Sequence, residues 1–229
     1  MDTGIQGVCL DLWNTIATTR HDPHPLAVLA EAFGLEGRAG WRRVLEEAMM
    51  TRPLTGITEG LAAIELATGR APAGRWSRRE LVLLWGAACN RNELFEDVRP
   101  AISRLRRRYR VGIVSNTQSF DLDVLRRDGL PSLVDDVLLS SECGLLKPDP
   151  AMYHLAARRL GLAPSSIVMV GDSLTDDVRG ARTAGLRAIW LRREGCAAVA
   201  AAEPGEAAAH DLTEVADRLE RGEAIIGAS

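Results

Sequence analysis

Short apolar segments bounded by turn residues alternate with segments of helical spacing at the start of the chain and throughout its second half. The predicted strands fall at 5–11, 110–115, 136–140, 166–171 and 187–191. Helical spacing occupies 99–108, 119–129, 150–161 and 175–185, and an Ala-rich loop at 196–210 precedes a last helix at 211–221. This alternation predicts a parallel sheet covered by helices on both faces, a fold that binds ligands at the carboxyl ends of its strands.

Residues 20–96 depart from this alternation, because helical patterns follow one another there without a strand between them. The patterns fall at 24–34, 40–51, 57–68 and 77–90, and the last opens with a Ser-x-x-Glu capping box. We therefore predict an α/β protein with a Rossmann-like parallel-sheet core, made of 1–19 and 97–229, and an inserted α-helical cap subdomain, made of 20–96. A cap inserted at this point would cover the end of the first strand, where Asp11 stands.

Composition excludes several classes of partner. The chain has 229 residues, 46% of them hydrophobic, and a formal net charge of -3, so it can bury a sizeable core but does not attract nucleic acid or anionic membranes. Because no basic-then-apolar segment opens the given sequence and no run of about 18 apolar residues occurs in it, we expect neither secretion nor a membrane span. Its four cysteines are scattered, which is not the spacing of a zinc site or a disulfide framework. We expect a cytoplasmic monomer or homodimer that binds a small molecule.

The chain contains a single lysine. Of its 28 lysines and arginines, 27 are arginines, and Lys147 is the exception. A lone lysine in an arginine-rich chain is either a chance remnant or a position that requires a compact ammonium rather than a broad guanidinium group.

Polar residues follow successive predicted strands. They are Asp11 after the first strand, Ser115 and Asn116 after the second, Lys147 beyond the third, and Asp172 to Asp177 after the fourth. Each feature alone is common in turns and helix caps. All of them together, at the edge of the sheet where ligands bind, predict an active site.

With these motifs in order, the sequence resembles the haloacid dehalogenase (HAD) superfamily of hydrolases, in the branch with a helical C1-type cap. The resemblance covers nearly the whole chain and implies that Asp11 is a nucleophile that forms an aspartyl intermediate. It further implies that Ser115 holds phosphoryl oxygens, that Lys147 screens negative charge, and that Thr15 supports the nucleophile loop.

The resemblance also implies a metal site formed by the side chains of Asp11, Asp172 and Asp177 and the main-chain oxygen of Trp13, an oxygen shell suited to Mg²⁺. Asp176 is a further candidate ligand. Three converging carboxylates repel one another by roughly 4 kcal/mol per close pair at an effective dielectric constant near 20. One lysine cannot offset this repulsion, so the site requires either a divalent cation or protonated carboxyl groups.

The sequence departs from the family pattern at Trp13. Phosphatases of the superfamily usually carry a second Asp there, which protonates the leaving group and then activates water. Tryptophan cannot do either, and loss of an acid/base group lowers rates by about 10² to 10⁴.

Four interpretations of this departure remain open. A phosphohydrolase could take the proton from its substrate or from a cap residue such as His21 or His24, or it could act on a leaving group that needs little help. A carbon–halogen hydrolase needs no proton donor, and that branch carries an aromatic residue at the position of Trp13. A repurposed enzyme of specialised metabolism and a non-enzymatic binding module are the other two.

Further residues bear on the halogen interpretation. Tyr153, six residues after Lys147, and the pair Trp41-Arg42 in the cap both match the dehalogenase branch. Asp172 does not, because that branch lacks an acid there and works without metal. We favour a Mg²⁺-dependent phosphatase of a small organic phosphate, and we expect Trp13, Ser115, Asn116 and Arg42 to bind the substrate.

Overall fold

The computed structural model describes residues 4–127, 129–194 and 207–223. Its strands are β1 (Gly7–Leu10), β2 (Ala17–Thr19), β3 (Asn92–Leu94), β4 (Arg110–Ser115), β5 (Asp136–Leu139), β6 (Ile167–Gly171), β7 (Arg187–Leu191) and β8 (Ala208–Ala209). Six of them form one parallel sheet in the order β5-β4-β1-β6-β7-β8. The predicted α/β fold with a parallel sheet is confirmed.

The helices are α1 (Pro25–Ala32), α2 (Trp41–Met49), α3 (Ile57–Thr68), α4 (Arg78–Cys89), α5 (Val98–Leu105), α6 (Asp123–Arg127), α7 (Leu130–Leu133), α8 (Ser140–Cys143), α9 (Pro150–Leu160), α10 (Gly180–Thr183) and α11 (Leu212–Arg221). A 3₁₀ turn at Pro164–Ser166 precedes β6, and a π-helical segment at Leu174–Arg179 follows it. None of the described helices is both long and apolar enough to cross a membrane.

The central strands are buried on both faces, which explains why they read as continuous apolar runs. Val8 and Leu10 of β1 pack into one hydrophobic cluster with α5 and α11. Cys9, between them, points to the opposite face and packs with α9. This alternation places a helical layer on each side of β1, so that the carboxyl end of the strand is the open edge.

Helices α1 to α4 lie between β2 and β3, which pair antiparallel from Ala17 opposite Leu94 to Thr19 opposite Asn92. The chain therefore leaves the sheet and returns to it at one place, just beyond β1. The four helices share a hydrophobic cluster of their own, which also includes Phe120 and Leu146 from loops at the edge of the sheet. The division into a core of 1–19 and 97–229 and a cap of 20–96 stays a prediction.

Two predicted helices differ in the structure. The pattern at 119–129 yields only the short helix α6, because Gly129 adopts a left-handed conformation and a new turn, α7, starts after it. The pattern at 175–185 divides into the π-helical segment and α10. The strands β2, β3 and β8 were not predicted, since two or three residues show no periodicity. Most of the predicted loop at 196–210 lies outside the described residues.

Candidate active site

The carboxyl ends of three adjacent strands bring the predicted residues together. Asp11 follows β1, Ser115 ends β4, and Asp172 follows β6. Asp177 projects back from the π-helical segment, and Lys147 comes from the loop between α8 and α9. Sequence positions far apart thus meet at one edge of the sheet, as the strand order requires.

Lys147 is the centre of this cluster. Its Nζ atom lies 2.6 Å from Oδ1 of Asp11 and 2.6 Å from Oδ1 of Asp177, and only 3% of the side chain is exposed. Burial lowers the pKa of Lys147, but the charges of Asp11 and Asp177 outweigh burial and raise it above its usual value. The lysine therefore remains an ammonium ion.

The carboxyl groups of Asp11, Asp172 and Asp177 lie close together, with one oxygen of each within 4.8 Å of the others. Burial raises the pKa of Asp11 to about 8, against the opposing charge of Lys147. Burial, together with the charge of Asp177, raises the pKa of Asp172 to about 6. Three acids therefore face one ammonium, and the site is short of positive charge.

Gly171, the last residue of β6, lies against the side chain of Asp177. A Cβ atom at Gly171 would lie 2.2 Å from Cγ of Asp177, so only glycine fits at the end of β6. The second oxygen of the Asp177 carboxylate accepts a hydrogen bond from the backbone N–H of Ser173, at 3.0 Å. One oxygen of the Asp177 side chain is thus fixed by the backbone of Ser173, and the other contacts Lys147.

Residues 11–17 form a tight turn, which we call the nucleophile turn after the role that the sequence predicts for Asp11. The carbonyl of Leu12 accepts hydrogen bonds from the N–H groups of both Ile16 and Ala17. Asn14 adopts a left-handed conformation with φ of 57°, and its amide Nδ2 donates to Oδ2 of Asp172 at 3.1 Å. Asn14, to which the sequence assigned no role, thus connects this turn to the end of β6.

Trp13 lies in the nucleophile turn with its indole half-buried. Its Nε1–H donates to Oγ1 of Thr117, just beyond β4, at 3.0 Å. The ring is therefore fixed between the ends of β1 and β4, and its only polar hydrogen is already used. Thr117 is a contact that sequence reasoning missed, because nothing in the sequence pairs it with Trp13.

Thr15 and Ser115 are fully buried, and neither hydroxyl has a hydrogen-bond partner among the described residues. A buried hydroxyl without a partner is unfavourable by about 1–3 kcal/mol. Ser115 Oγ, at the carboxyl end of β4, is therefore a buried donor without an acceptor among the described residues.

Asn116 contacts the backbone of Lys147. Its Oδ1 accepts from the N–H of Lys147 at 2.8 Å, and its Nδ2 donates to the carbonyl of Lys147 at 3.0 Å. Arg43 of α2 donates to the same carbonyl at 2.9 Å. The predicted substrate contact of Asn116 stays a prediction, and its amide hydrogen-bonds both polar groups of the Lys147 backbone. Arg43 connects helices α1 to α4, which we call the helical segment, to the same residue.

The face of α2 near the site carries Arg42 and Glu46, with Arg42 Nε 3.8 Å from Oε1 of Glu46. Burial, and to a smaller extent the charge of Asp176, raises the pKa of Glu46. Arg42 is mostly exposed, and its positive charge opposes, to a small extent, the rise in the pKa of Asp172. Sequence reasoning missed Glu46, because the pattern of α2 is that of an ordinary amphipathic helix.

Other residues considered from the sequence have structural contacts. Nδ1 of His24 accepts from the N–H of Leu26 and caps α1, and Nδ1 of His21 lies 2.9 Å from the carbonyl oxygen of Pro23. The buried hydroxyl of Tyr153 donates to the carbonyl of Asp176. Cys9, Cys89 and Cys143 are free thiols, and Cys196 lies outside the described residues.

The site combines an acid after the first strand of a parallel sheet with a lysine and two further acids beside it. This combination defines a class of hydrolases. The chain belongs to the haloacid dehalogenase-like hydrolases, because the model of that family matches residues 5–185.

Curated relatives in the family are phosphatases. Over 162 residues the chain is 33% identical to a phosphoserine phosphatase of Thermus thermophilus, a match that covers 70% of this chain and 59% of that protein. A glyceraldehyde 3-phosphate phosphatase of Methanopyrus kandleri is 37% identical over 43% of both chains. A phosphatase of Mycobacterium tuberculosis is 35% identical over 68% of this chain and 70% of its own. The chain spans about half the length of the first two relatives.

Solved structures with the same fold include both phosphatases and dehalogenases. A HAD phosphatase from Thermococcus onnurineus has a TM-score of 0.60 and 24% identity, covering 97% of this chain and 100% of its own. The L-2-haloacid dehalogenase from Xanthobacter autotrophicus has a TM-score of 0.62 and 20% identity, covering 96% of this chain and 100% of its own. At these identities the likeness concerns the fold alone.

Proposed function

We propose that this chain hydrolyses monoesters of small organic phosphates through an aspartyl-phosphate formed on Asp11. The observation that carries the proposal is the contact of the buried Lys147 ammonium with both Asp11 and Asp177. This contact holds a carboxylate nucleophile beside a fixed positive charge at the edge of the sheet. The phosphatase relatives support the same chemistry.

The acidic cluster fits a magnesium ion. Its oxygens lie within 4.8 Å of one another, they are the hard ligands that Mg²⁺ prefers, and the site has more acids than cations. The side chains of Asp11, Asp172 and Asp177 and the carbonyl of Trp13 would hold the ion. When bound, Mg²⁺ would neutralise charge on the phosphoryl oxygens.

In the first step an oxygen of the Asp11 carboxylate attacks phosphorus, and the bond from phosphorus to the ester oxygen breaks. The electron pair of that bond leaves with the alcohol oxygen. The ammonium of Lys147 stabilises the charge that spreads over the phosphoryl group, and the hydroxyl of Ser115 donates a hydrogen bond to it. Water then attacks phosphorus, which releases inorganic phosphate and restores the carboxylate of Asp11.

Trp13 sets a limit on the leaving group. Its indole N–H already donates to Thr117, and an indole does not give up a proton near neutral pH. The alcohol therefore departs without a proton from this position. We expect turnover to fall steeply as the pKa of the leaving alcohol rises, because an unprotonated alkoxide is a poor leaving group.

Hydrolysis of a carbon–halogen bond is the second candidate. An aromatic residue at position 13 favours it, since departure of a halide requires no acid. The acidic cluster opposes it, because Asp172 adds negative charge where a halide and a substrate carboxylate would have to bind. A repurposed enzyme would use the same Asp11, whereas a binding module would not depend on it.

A turnover panel separates these candidates. Phosphate esters and 2-haloacids are tested with and without Mg²⁺ on the wild type, Asp11→Asn and Trp13→Asp. The proposal predicts metal-dependent release of phosphate that Asp11→Asn abolishes. Release of halide that survives a chelator would support the second candidate. Tight ligand binding by Asp11→Asn, with no turnover by the wild type, would identify a binding module.

A further inference from the structure

Arg193, just beyond β7, lies behind the nucleophile turn and has no part in the proposed reaction. Its Nε and Nη2 atoms both donate to the carbonyl of Thr15, at 3.0 and 2.8 Å. Nη2 also lies 2.9 Å from Oδ2 of Asp97, and the guanidinium carbon lies 3.9 Å from the centre of the Phe95 ring. Only 8% of Arg193 is exposed. Two of the three guanidinium nitrogens thus have hydrogen-bond partners, and the side chain is almost fully buried.

These contacts join three parts of the chain. Thr15 precedes β2, through which the chain enters the helical segment, and Asp97 follows β3, through which it returns. The same oxygen of Asp97 accepts from the N–H of Leu212, at 2.7 Å, which ties it to the start of α11. The two places where the helical segment connects to the sheet, which we call its roots, are therefore both hydrogen-bonded to Arg193. One of them is the turn that begins with Asp11.

The net stability that an ion pair contributes does not explain why a charged residue rather than an apolar one is buried at position 193. A buried ion pair contributes little net stability compared with apolar residues of the same size, because desolvation offsets the attraction. A guanidinium differs from an apolar side chain in its planar, fixed set of donors, which determines the position of each acceptor. The feature that Arg193 fixes is the carbonyl of Thr15, and with it the far end of the nucleophile turn.

We propose that Arg193 is a positioning residue of the active site. It anchors the carbonyl of Thr15, so that the turn presents the carboxylate of Asp11 to Lys147 in one orientation, while Asp97 keeps the root of the helical segment in register with that turn. The catalytic part of this inference rests on the proposed function, since it takes Asp11 as the reacting group. The anchoring part depends only on the contacts of Arg193.

Two readouts on Arg193→Met, Arg193→Lys and a control test the proposal. Hydrogen exchange of the amides of Ile16 and Ala17 reports the turn, and kcat and KM on p-nitrophenyl phosphate report the chemistry. The control is Arg104→Met, which removes an arginine that pairs with Asp217 and Glu220 away from the turn.

In Arg193→Met we expect both amides to exchange about tenfold to a hundredfold faster, the factor that corresponds to losing a charged hydrogen bond. We expect kcat to fall by a similar factor with KM little changed. Arg193→Lys keeps the charge but not the planar fork, so it should restore neither the slow exchange of these amides nor kcat. Arg104→Met should change neither readout.

Unchanged exchange in the turn, or full recovery of kcat in Arg193→Lys, would overturn the proposal. If Arg193→Met does not fold, the lysine variant alone decides, because it retains a buried cation. A wild type without phosphatase activity would refute the proposed function, whereas the exchange measurement would still test the anchoring of Thr15.

Discussion

The Nζ atom of Lys147 lies 2.6 Å from Oδ1 of Asp11, and both side chains are buried. In a chain whose other basic residues, apart from the histidines, are all arginines, a lysine occupies this buried position, where a single nitrogen contacts the carboxyl groups of both Asp11 and Asp177. A guanidinium spreads its charge over a plane and binds acids in pairs of parallel hydrogen bonds. The compact ammonium is thus the cation that this pocket can enclose.

Replacing Lys147 tests this contact. Lys147→Met leaves buried acids without their cation, so we expect the free energy of unfolding to fall by about 3–5 kcal/mol in metal-free buffer. Lys147→Arg keeps the charge, but the larger group must displace Asp11, and phosphatase activity should be lost. Urea unfolding and turnover are the measurements. Arg221→Met is the matched control, because it removes an exposed ion pair worth less than about 1 kcal/mol. A Met variant as stable as the wild type would contradict the account.

The raised pKa values predict how stability depends on pH. The folded protein holds protons on Asp11 up to about pH 8 and on Asp172 up to about pH 6, whereas the unfolded chain releases them near pH 4. The folded state therefore binds more protons between these values. Stability of the metal-free protein should therefore fall as pH rises from about 4 to about 8, and most steeply below about pH 6, where both carboxyls lose protons only on unfolding.

Magnesium should reverse this trend, because it binds the ionised carboxylates. Melting temperatures measured from about pH 5 to about pH 8, in a chelator and in excess Mg²⁺, should diverge as the pH rises. Asp11→Asn should flatten the metal-free curve, since it removes the acid with the largest shift. Melting temperatures that rise steadily with pH in the chelator would show that the cluster is ionised without a metal.

Trp13 is predicted to limit the rate for poor leaving groups. Trp13→Asp should raise turnover of alkyl phosphates by about tenfold or more, because a general acid is worth 10² to 10⁴ and the new side chain will not be ideally placed. Aryl phosphates, whose leaving groups need less help, should gain less. Trp13→Phe removes the hydrogen bond to Thr117 without adding an acid and serves as the control. Equal gains in both variants would mean that loosening the ring, not acid catalysis, matters.

Asn116 was predicted to bind substrate, and its contacts with Lys147 offer a second role that kinetics can separate. If the amide positions the lysine, Asn116→Ala should lower kcat by about tenfold, the value of one or two net hydrogen bonds, with a small effect on KM. If it binds substrate in the ground state, KM should rise instead. Arg43→Met removes the donor from the helical segment to the same carbonyl and should have the smaller effect, because Asn116 remains.

Sequence reasoning predicted the sheet and the set of residues at its edge. The strands β4 and β7 have the predicted bounds, because buried parallel strands are continuous apolar runs that turn residues delimit. Asp11, Lys147, Asp172 and Asp177 meet as expected, because parallel strands in one sheet must end at the same edge. The metal they would hold and the roles of the predicted site residues stay predictions.

Contacts between distant side chains could not be predicted in this way. Arg193 is one of 27 arginines, and nothing in its local sequence indicates that it reaches the carbonyl of Thr15. Glu46 and Arg42 lie on a helix whose pattern says which face is apolar but not which polar residue faces the site. These relations depend on how the helical segment packs on the sheet, and a periodicity within one element carries no information about that packing.

The central claim is that Asp11 carries the transferred phosphoryl group, and a single turnover in ¹⁸O-labelled water tests it most directly. Enzyme in excess over p-nitrophenyl phosphate is quenched and digested, and the label is located in inorganic phosphate and in the tryptic peptide 1–20, which contains Asp11. In samples quenched early we predict a peptide that carries the mass of one phosphoryl group, which direct attack of water on the substrate would not leave, and its absence would contradict the account. At the end of the turnover we predict labelled phosphate and a peptide of unchanged mass, because water attacks phosphorus. Label in the peptide means attack at the carboxyl carbon of an ester, as in displacement at carbon, and would contradict the account.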